Sequence, residues 1–295
     1  MTRKTIISLT CALALLAPAA STATASPATS GAAWLASAEK PGADGMAADA
    51  LVALRAAGRL SPADARRRAA ALRAGANRYA SAAGATAKTI LALAAARSGS
   101  ARCAPGVDLL VRLQRQGRDG RYGSTIYDQA LGMLAIHALH AGPSARSVSV
   151  LLRARGRGGW NFQLTRSGGR ADDVTATALA ILAARAAGVP KTNGSLRAGL
   201  RWLRTQRTPA GGFALGRRDR NEANSTALAI EAARAMGSKD TRATRALTSV
   251  QRPGGAFQFT RDDAGSRVLA TNDAVVALSG RTLPVTSLRS TPKAC

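Results

Sequence analysis

Six alanine-rich apolar runs along this chain each stop at a glycine: Gly58, Gly99, Gly142, Gly188, Gly237 and Gly280. The intervals are 41, 43, 46, 49 and 43 residues. A period of this length marks a repeat architecture, in which each unit buries its apolar face only by stacking on its neighbours. The clearest unit is Ser195 to Gly237. It opens with SLRAGLRWLRTQ, whose Leu196, Leu200 and Leu203 share one helical face. Thr208-Pro-Ala-Gly-Gly-Phe213 breaks that helix and a polar link follows. Asn224-Ser225-Thr226 then starts ALAIEAARAM, which ends at Gly237. Asn or Ser at the start and Gly past the end are the expected helix punctuation.

The other units repeat this order. One has LLVRLQRQ, Gly120-Arg-Tyr122 and then Tyr127-Asp128 before ALGMLAIHAL. The next has Gly158-Gly-Trp160-Asn-Phe162 and then Asp172-Asp173 before ALAILAARAA. The last has Gln251, Gly254-Gly-Ala-Phe257-Gln-Phe259 and then Thr271-Asn272-Asp273 before AVVAL. The units Trp34–Gly58 and Arg59–Gly99 keep the helices but lack the Gly-Gly-aromatic element. The second helix of each unit is apolar on nearly every side and is expected to be the more buried layer, while the first carries most of the arginines and faces water. Six such hairpins suit an open solenoid or a closed double ring.

Composition agrees with helix throughout: 68 of the 295 residues are alanine, the best helix former. Ten aromatics leave little to line a large aromatic pocket, and three Cys with two His exclude zinc-finger arrays and disulfide-dense scaffolds. The formal charge is +26, from 42 Lys and Arg against 16 Asp and Glu. The arginines are spread over all six units with no clustered recognition segment, which argues against a specific nucleic-acid partner. Adhesion to acidic cell-envelope polymers, lost as salt screens it, is the expectation instead.

Residues 1–25 read as a signal peptide: Arg3-Lys4, an apolar run from Ile6 to Leu16, and Ala23-Thr24-Ala25 as a small-x-small cleavage site. The mature chain is therefore expected to be secreted or envelope-associated after cleavage near Ala25. It would have a formal charge of +24 once Arg3 and Lys4 are lost, and no transmembrane segment. Residues 26–33 read as a linker, 34–285 as the repeat domain and 286–295 as a C-terminal tail. Cleavage leaves Cys103 and Cys295. They either form one disulfide, sensible only if the chain's end returns near its beginning, or remain as two thiols.

The segments Gln206…Gly211-Gly-Phe213…Asn224-Ser-Thr-Ala-Leu228 and Gln251…Gly254-Gly-Ala-Phe257 resemble prenyltransferase/squalene-oxidase (QW-type) repeats. The resemblance covers about residues 31–285 and is strongest from 107 onward. It implies an all-α fold, an α/α toroid of about six hairpins (an α6/α6 barrel), as in terpenoid cyclases, protein prenyltransferase β subunits and cobalamin carriers. Cyclases of this type carry an Asp-x-Asp-Asp acid. The nearest match is Arg170-Ala171-Asp172-Asp173, with Arg in place of the first Asp, and its guanidinium would lower the carboxyl pKa, the wrong direction for a strong acid. Asp172 and Asp173 would be the catalytic residues of such an enzyme, and are otherwise cap and first-turn residues. Prenyltransferases use zinc, and His137 and His140 stand without a Cys beside them, so no metal is expected.

If the ring closes, the links before the second helices bring Tyr122, Tyr127, Asp128, Trp160, Asp172, Asp173, Asn221, Asn224, Asn272 and Asp273 toward one rim. Phe213 and Phe257 are expected to plug between hairpins, whereas Trp160, Phe162 and Phe259 are the candidates for facing a ligand. Amides and carboxylates around helix N-termini suit a polar or amphipathic small ligand. The sequence thus favours a non-catalytic small-ligand or envelope-binding module resembling cobalamin-carrier α-barrels, with a corrinoid as one possible ligand and no cofactor. The alternative is a terpenoid cyclase or prenyltransferase-like enzyme acting on an isoprenoid.

Overall fold

A computed structural model describes residues 25–165, 172–214 and 220–295. The signal-peptide expectation falls on residues 1–24, and Arg170-Ala171 of the acid motif on 166–171, outside the described residues. The chain is mostly helical. Its described residues form twelve helices and one short antiparallel ribbon, β1 (Cys103–Ala104) with β2 (Val107–Asp108).

The helices come in six consecutive pairs. These are α1 (Pro27–Ala38) with α2 (Gly45–Ala56), α3 (Pro62–Tyr79) with α4 (Ala83–Ala96), and α5 (Leu109–Gln116) with α6 (Ile126–Ala138). They continue as α7 (Ala145–Arg153) with α8 (Val174–Ala186), α9 (Gly194–Thr205) with α10 (Ala223–Ala235), and α11 (Thr241–Thr248) with α12 (Arg267–Leu278). Every glycine of the period closes a pair with a positive φ, between +67° at Gly58 and +85° at Gly188. That left-handed turn ends a helix and is nearly free only for glycine.

The stretch 26–33 is not a linker. Ser26 caps α1 by accepting a hydrogen bond from the Thr29 N–H, and Pro27 occupies the first helical turn, where its missing N–H costs nothing. Sequence reading missed this because the segment lies ahead of the first apolar run.

The pairs divide into two kinds of helix. In α4, eleven of fourteen residues are buried, from Ala83 to Ala96. In α9 only Leu196, Gly199 and Leu203 are, the i, i+3, i+7 stripe of a helix with one wet face. Each even-numbered helix packs on two others: α2 on α4, α4 on α6, α6 on α8, α8 on α10, α10 on α12, and α12 back on α2. Each odd-numbered helix packs on even-numbered ones, and α1 lies against α12 as well as α2. Arginines three residues before a closing glycine tie even-numbered helices together. Arg55 donates to the carbonyls of Ala95 and Ala96, Arg185 to Ala235, and Arg234 to Ala277. These guanidinium groups meet the carbonyls that a helix C-terminus leaves unpaired.

Beyond α12 the chain crosses α10 and the C-terminal end of α6. Leu283 N–H donates to Glu231 of α10, Leu288 N–H to the Ala138 carbonyl, and the Ser287 and Thr291 hydroxyls to His137 and His140 carbonyls of the α6 end. The crossing finishes at Cys295, which is bonded to Cys103 with the two Cα atoms 5.7 Å apart. The chain's end therefore does return to its first third, the condition the disulfide requires. No helix among the described residues is long and apolar enough to cross a membrane.

Candidate ligand-binding site

The Gly-Gly-aromatic elements are built into the packing. Backbone N–H groups of Tyr122, Trp160, Phe213 and Phe257 each donate to a side-chain oxygen on the following even-numbered helix: Gln129, Thr177, Thr226 and Thr271, at 2.8–2.9 Å. Thr177 and Thr226 also return a hydrogen bond to the carbonyl of the same aromatic residue. A hydroxyl, which both donates and accepts, thus satisfies both backbone groups of a buried loop residue. Phe213 and Phe257 are buried plugs, as expected, and the Phe257 ring reaches toward Gly31 of α1.

Trp160 and Tyr122 depart from expectation. Trp160 is 0% exposed, its Nε1 donates to the Leu151 carbonyl, and its ring fills the space beside Gly199 that a side chain there would need. Tyr122 is buried against Gly132 with its hydroxyl near Ser147. Both are plugs rather than ligand-facing rings. Phe259 is half-buried beside Gly265, while Phe162 is 45% exposed and stacks, tilted, on Tyr127 at 5.3 Å.

Two polar candidates are local clamps. Asp172 Oδ2 accepts from the Gly158 and Gly159 N–H groups, and Asn221 Oδ1 likewise holds Gly212. Asp173 is the N-cap of α8, accepting from Ala176 N–H at 2.7 Å, and burial pushes its carboxyl up. Asp128 sits in the first turn of α6, bonded to Thr125 and abutting Gly84 of α4.

The remaining candidates lie within helices rather than in the links before them. Helix α12 begins at Arg267, capped by Ser266, so Asn272 and Asp273 stand more than a turn inside it. Helix α10 begins at Ala223 with Glu222 at the cap position, which puts Asn224 in its first turn. The polar residues before the apolar runs were read as caps, but they continue the helices and carry their side chains inward. There Asn224 Nδ2 donates to Asp273 Oδ2 at 2.6 Å, and Asn272, 1% exposed, donates to the Met46 carbonyl.

Asn272 and Asp273 line a cavity of about 40 Å³ together with Asp49, Lys88 and Glu231. Val52, Leu91, Leu131, Val276 and Leu283 complete its wall, so five even-numbered helices and the C-terminal crossing all contribute. Asp49 and Lys88 form an ion pair at 2.5 Å with their side chains 22% and 29% exposed. Glu231, 1% exposed, lies deeper, with Leu283 N–H on its Oε2. Burial alone would lower the Lys88 ammonium, but Asp49 raises it above its ordinary value. Burial pushes Asp273 up to about 7 and Glu231 to about 8, and each also feels a neighbouring carboxylate. Burial and the nearby Asp173 raise the Tyr127 hydroxyl too.

Asp49, Lys88 and Glu231 were missed by sequence reading. Their signal was present: Lys88 is the one charge in α4, and Asp49 and Glu231 are the one acidic residue each in α2 and α10, Ala-rich helices where an ionised side chain is costly unless paired. No set of His, Cys, Asp and Glu among the described residues is arranged to hold a metal ion. No protein-family model and no curated protein matches the chain.

Proposed function

We propose that the chain is an exported α/α toroid of six hairpins that binds a small polar ligand and carries out no chemistry on it. The succession of helix contacts that runs from α2 through α12 and back to α2 supports the ring. The resemblance to prenyltransferase/squalene-oxidase repeats supports it from the sequence side. Export rests on the N-terminal pattern of residues 1–25 and agrees with a disulfide, which persists in oxidising compartments.

The observation that carries the binding reading is the cavity of about 40 Å³ with three carboxyls, one ammonium and one amide in its wall. Room for a drug-sized ligand would be roughly 300–1,000 Å³. A corrinoid or a polyprenyl chain is far too large for this space, so the reading narrows to a ligand of a few heavy atoms. The enzyme alternative loses support at Asp172, whose carboxylate is engaged by two loop N–H groups. Around this site the outer arginines form a cationic surface, which suits retention on anionic envelope polymers and should weaken in salt.

A thermal-shift panel of small cationic, neutral and anionic compounds tests the reading. The mature protein should melt higher with at least one of them, and a folded variant with the cavity filled, Leu131→Trp, should lose that response. A panel with no response would contradict binding. Turnover of a polyprenyl substrate that Asp172→Asn abolishes, with the helical circular-dichroism signal intact, would replace binding with catalysis.

A further inference from the structure

Resting on that reading, we propose that the ligand is a small primary ammonium ion, seated on Asn272 Oδ1, Asp273 and Glu231. The first observation is the hydrogen-bond inventory of the cavity. Asn272 Oδ1 is buried with no partner, while its Nδ2 is engaged by the Met46 carbonyl. Leaving a buried acceptor empty costs about 1–3 kcal/mol, so something with an N–H or O–H belongs there. Asp273 uses Oδ2 for Asn224, and Glu231 uses Oε2 for Leu283 N–H. Their other oxygens add two acceptors, matching the three donors of an –NH3+ group.

Charge agrees with this inventory. The wall sets three carboxyls, Asp49, Asp273 and Glu231, against the single ammonium of Lys88, so a second cation is the charge it favours. The cavity has space for roughly three water-sized groups, at about 10–15 Å³ for each. An ammonium nitrogen with one or two carbons fills it. Any longer alkyl tail would extend beyond the cavity.

Asp273 feels Asp49 on α2 and Lys88 on α4, and acts in turn on Tyr127 of α6 and Glu231 of α10; the cap residues Asp173 and Glu222 reach Tyr127, and Arg234 reaches Glu231. Asp273 and Glu231 hold protons up to about 7 and 8, and a bound cation favours their ionised forms. Binding should therefore release a proton and strengthen from pH 6 to pH 8.

Titration calorimetry on the mature, disulfide-intact chain tests this, with n-propylammonium chloride, n-propanol and acetate as probes in two buffers of different ionisation enthalpy. Propylammonium should bind with proton release at pH 6, and propanol and acetate should not. Asp273→Asn should weaken binding at least tenfold while melting as a folded protein, and Glu231→Gln should flatten the pH dependence above 7. Equal binding of propanol, or binding of acetate, overturns the ammonium assignment and leaves the small-ligand reading standing. Silence from all three probes on folded protein also overturns the assignment, and the broader panel above then decides the reading itself.

Discussion

Single polar residues decide what happens between the even-numbered helices, and Glu231 does so most plainly. Its carboxyl is raised from 4.5 to about 8 by burial, so the folded protein holds a proton there that the unfolded chain releases above 4.5. Stability from this group is complete below the unfolded value and is lost as pH rises toward the folded one, since the native state binds the more protons in that window. Glu231→Gln keeps an oxygen for Leu283 N–H and removes the titration. The variant should exceed the wild type by on the order of 2 to 4 kcal/mol at pH 9 and converge with it near pH 5, as read by urea melts at both pH values. A difference between variant and wild type that stays the same from pH 5 to pH 9 would show that the carboxylate is solvated. The sequence made Asp172, Asp173, Asn272 and Asp273 visible as polar residues at helix starts. It did not reveal which faced inward, because a cap and a residue one turn later differ only in where the helix begins.

Helices were the most legible elements. Apolar period and closing glycine located all six pairs, because both signals are local: a face that must be buried and a backbone turn that only glycine makes cheaply. The aromatic links were harder, since Trp160 and Phe162 lie two residues apart yet one is a plug and the other is half open to water. What separates them is Thr177, a residue seventeen positions away that binds the Trp160 backbone. The same contacts set two glycines apart. A methyl at Gly199 would stand 2.7 Å from the Trp160 ring, so Gly199→Ala should cost about 1–3 kcal/mol by overpacking. Gly188 has open space but φ +85°, so Gly188→Ala should cost about 1 kcal/mol through its backbone alone. Thermal melts compared with near-ultraviolet dichroism separate the two: only Gly199→Ala should alter the tryptophan signal.

The described chain is tied back on itself in two places. Phe257 packs toward Gly31, Gln251 donates to the Pro27 carbonyl, and Cys295 is bonded to Cys103 across 192 positions. The even count of cysteines left after residue 25 allowed this bond but did not require it. The path of the tail over Glu231 and the α6 carbonyls was not legible, because its few hydrogen bonds leave no periodic pattern. Loop-closure entropy for so long a separation is worth about 5 kcal/mol at most. Cys295→Ser should therefore lower the melting temperature substantially, and added reductant should lower wild type to meet it. A variant that melts like oxidised wild type would mean that the hydrogen bonds of the crossing alone hold the tail.

A bound ammonium ion requires helices that enclose a cavity dry enough to keep its carboxyls protonated when vacant. Carbon-13 detection of side-chain carboxyls across a pH series reports this directly. An enclosed interior predicts that Glu231 titrates at about 8 and Asp273 at about 7. Both titrating near 4, as carboxyls do in water, would contradict the enclosed cavity and with it the ligand assigned to it.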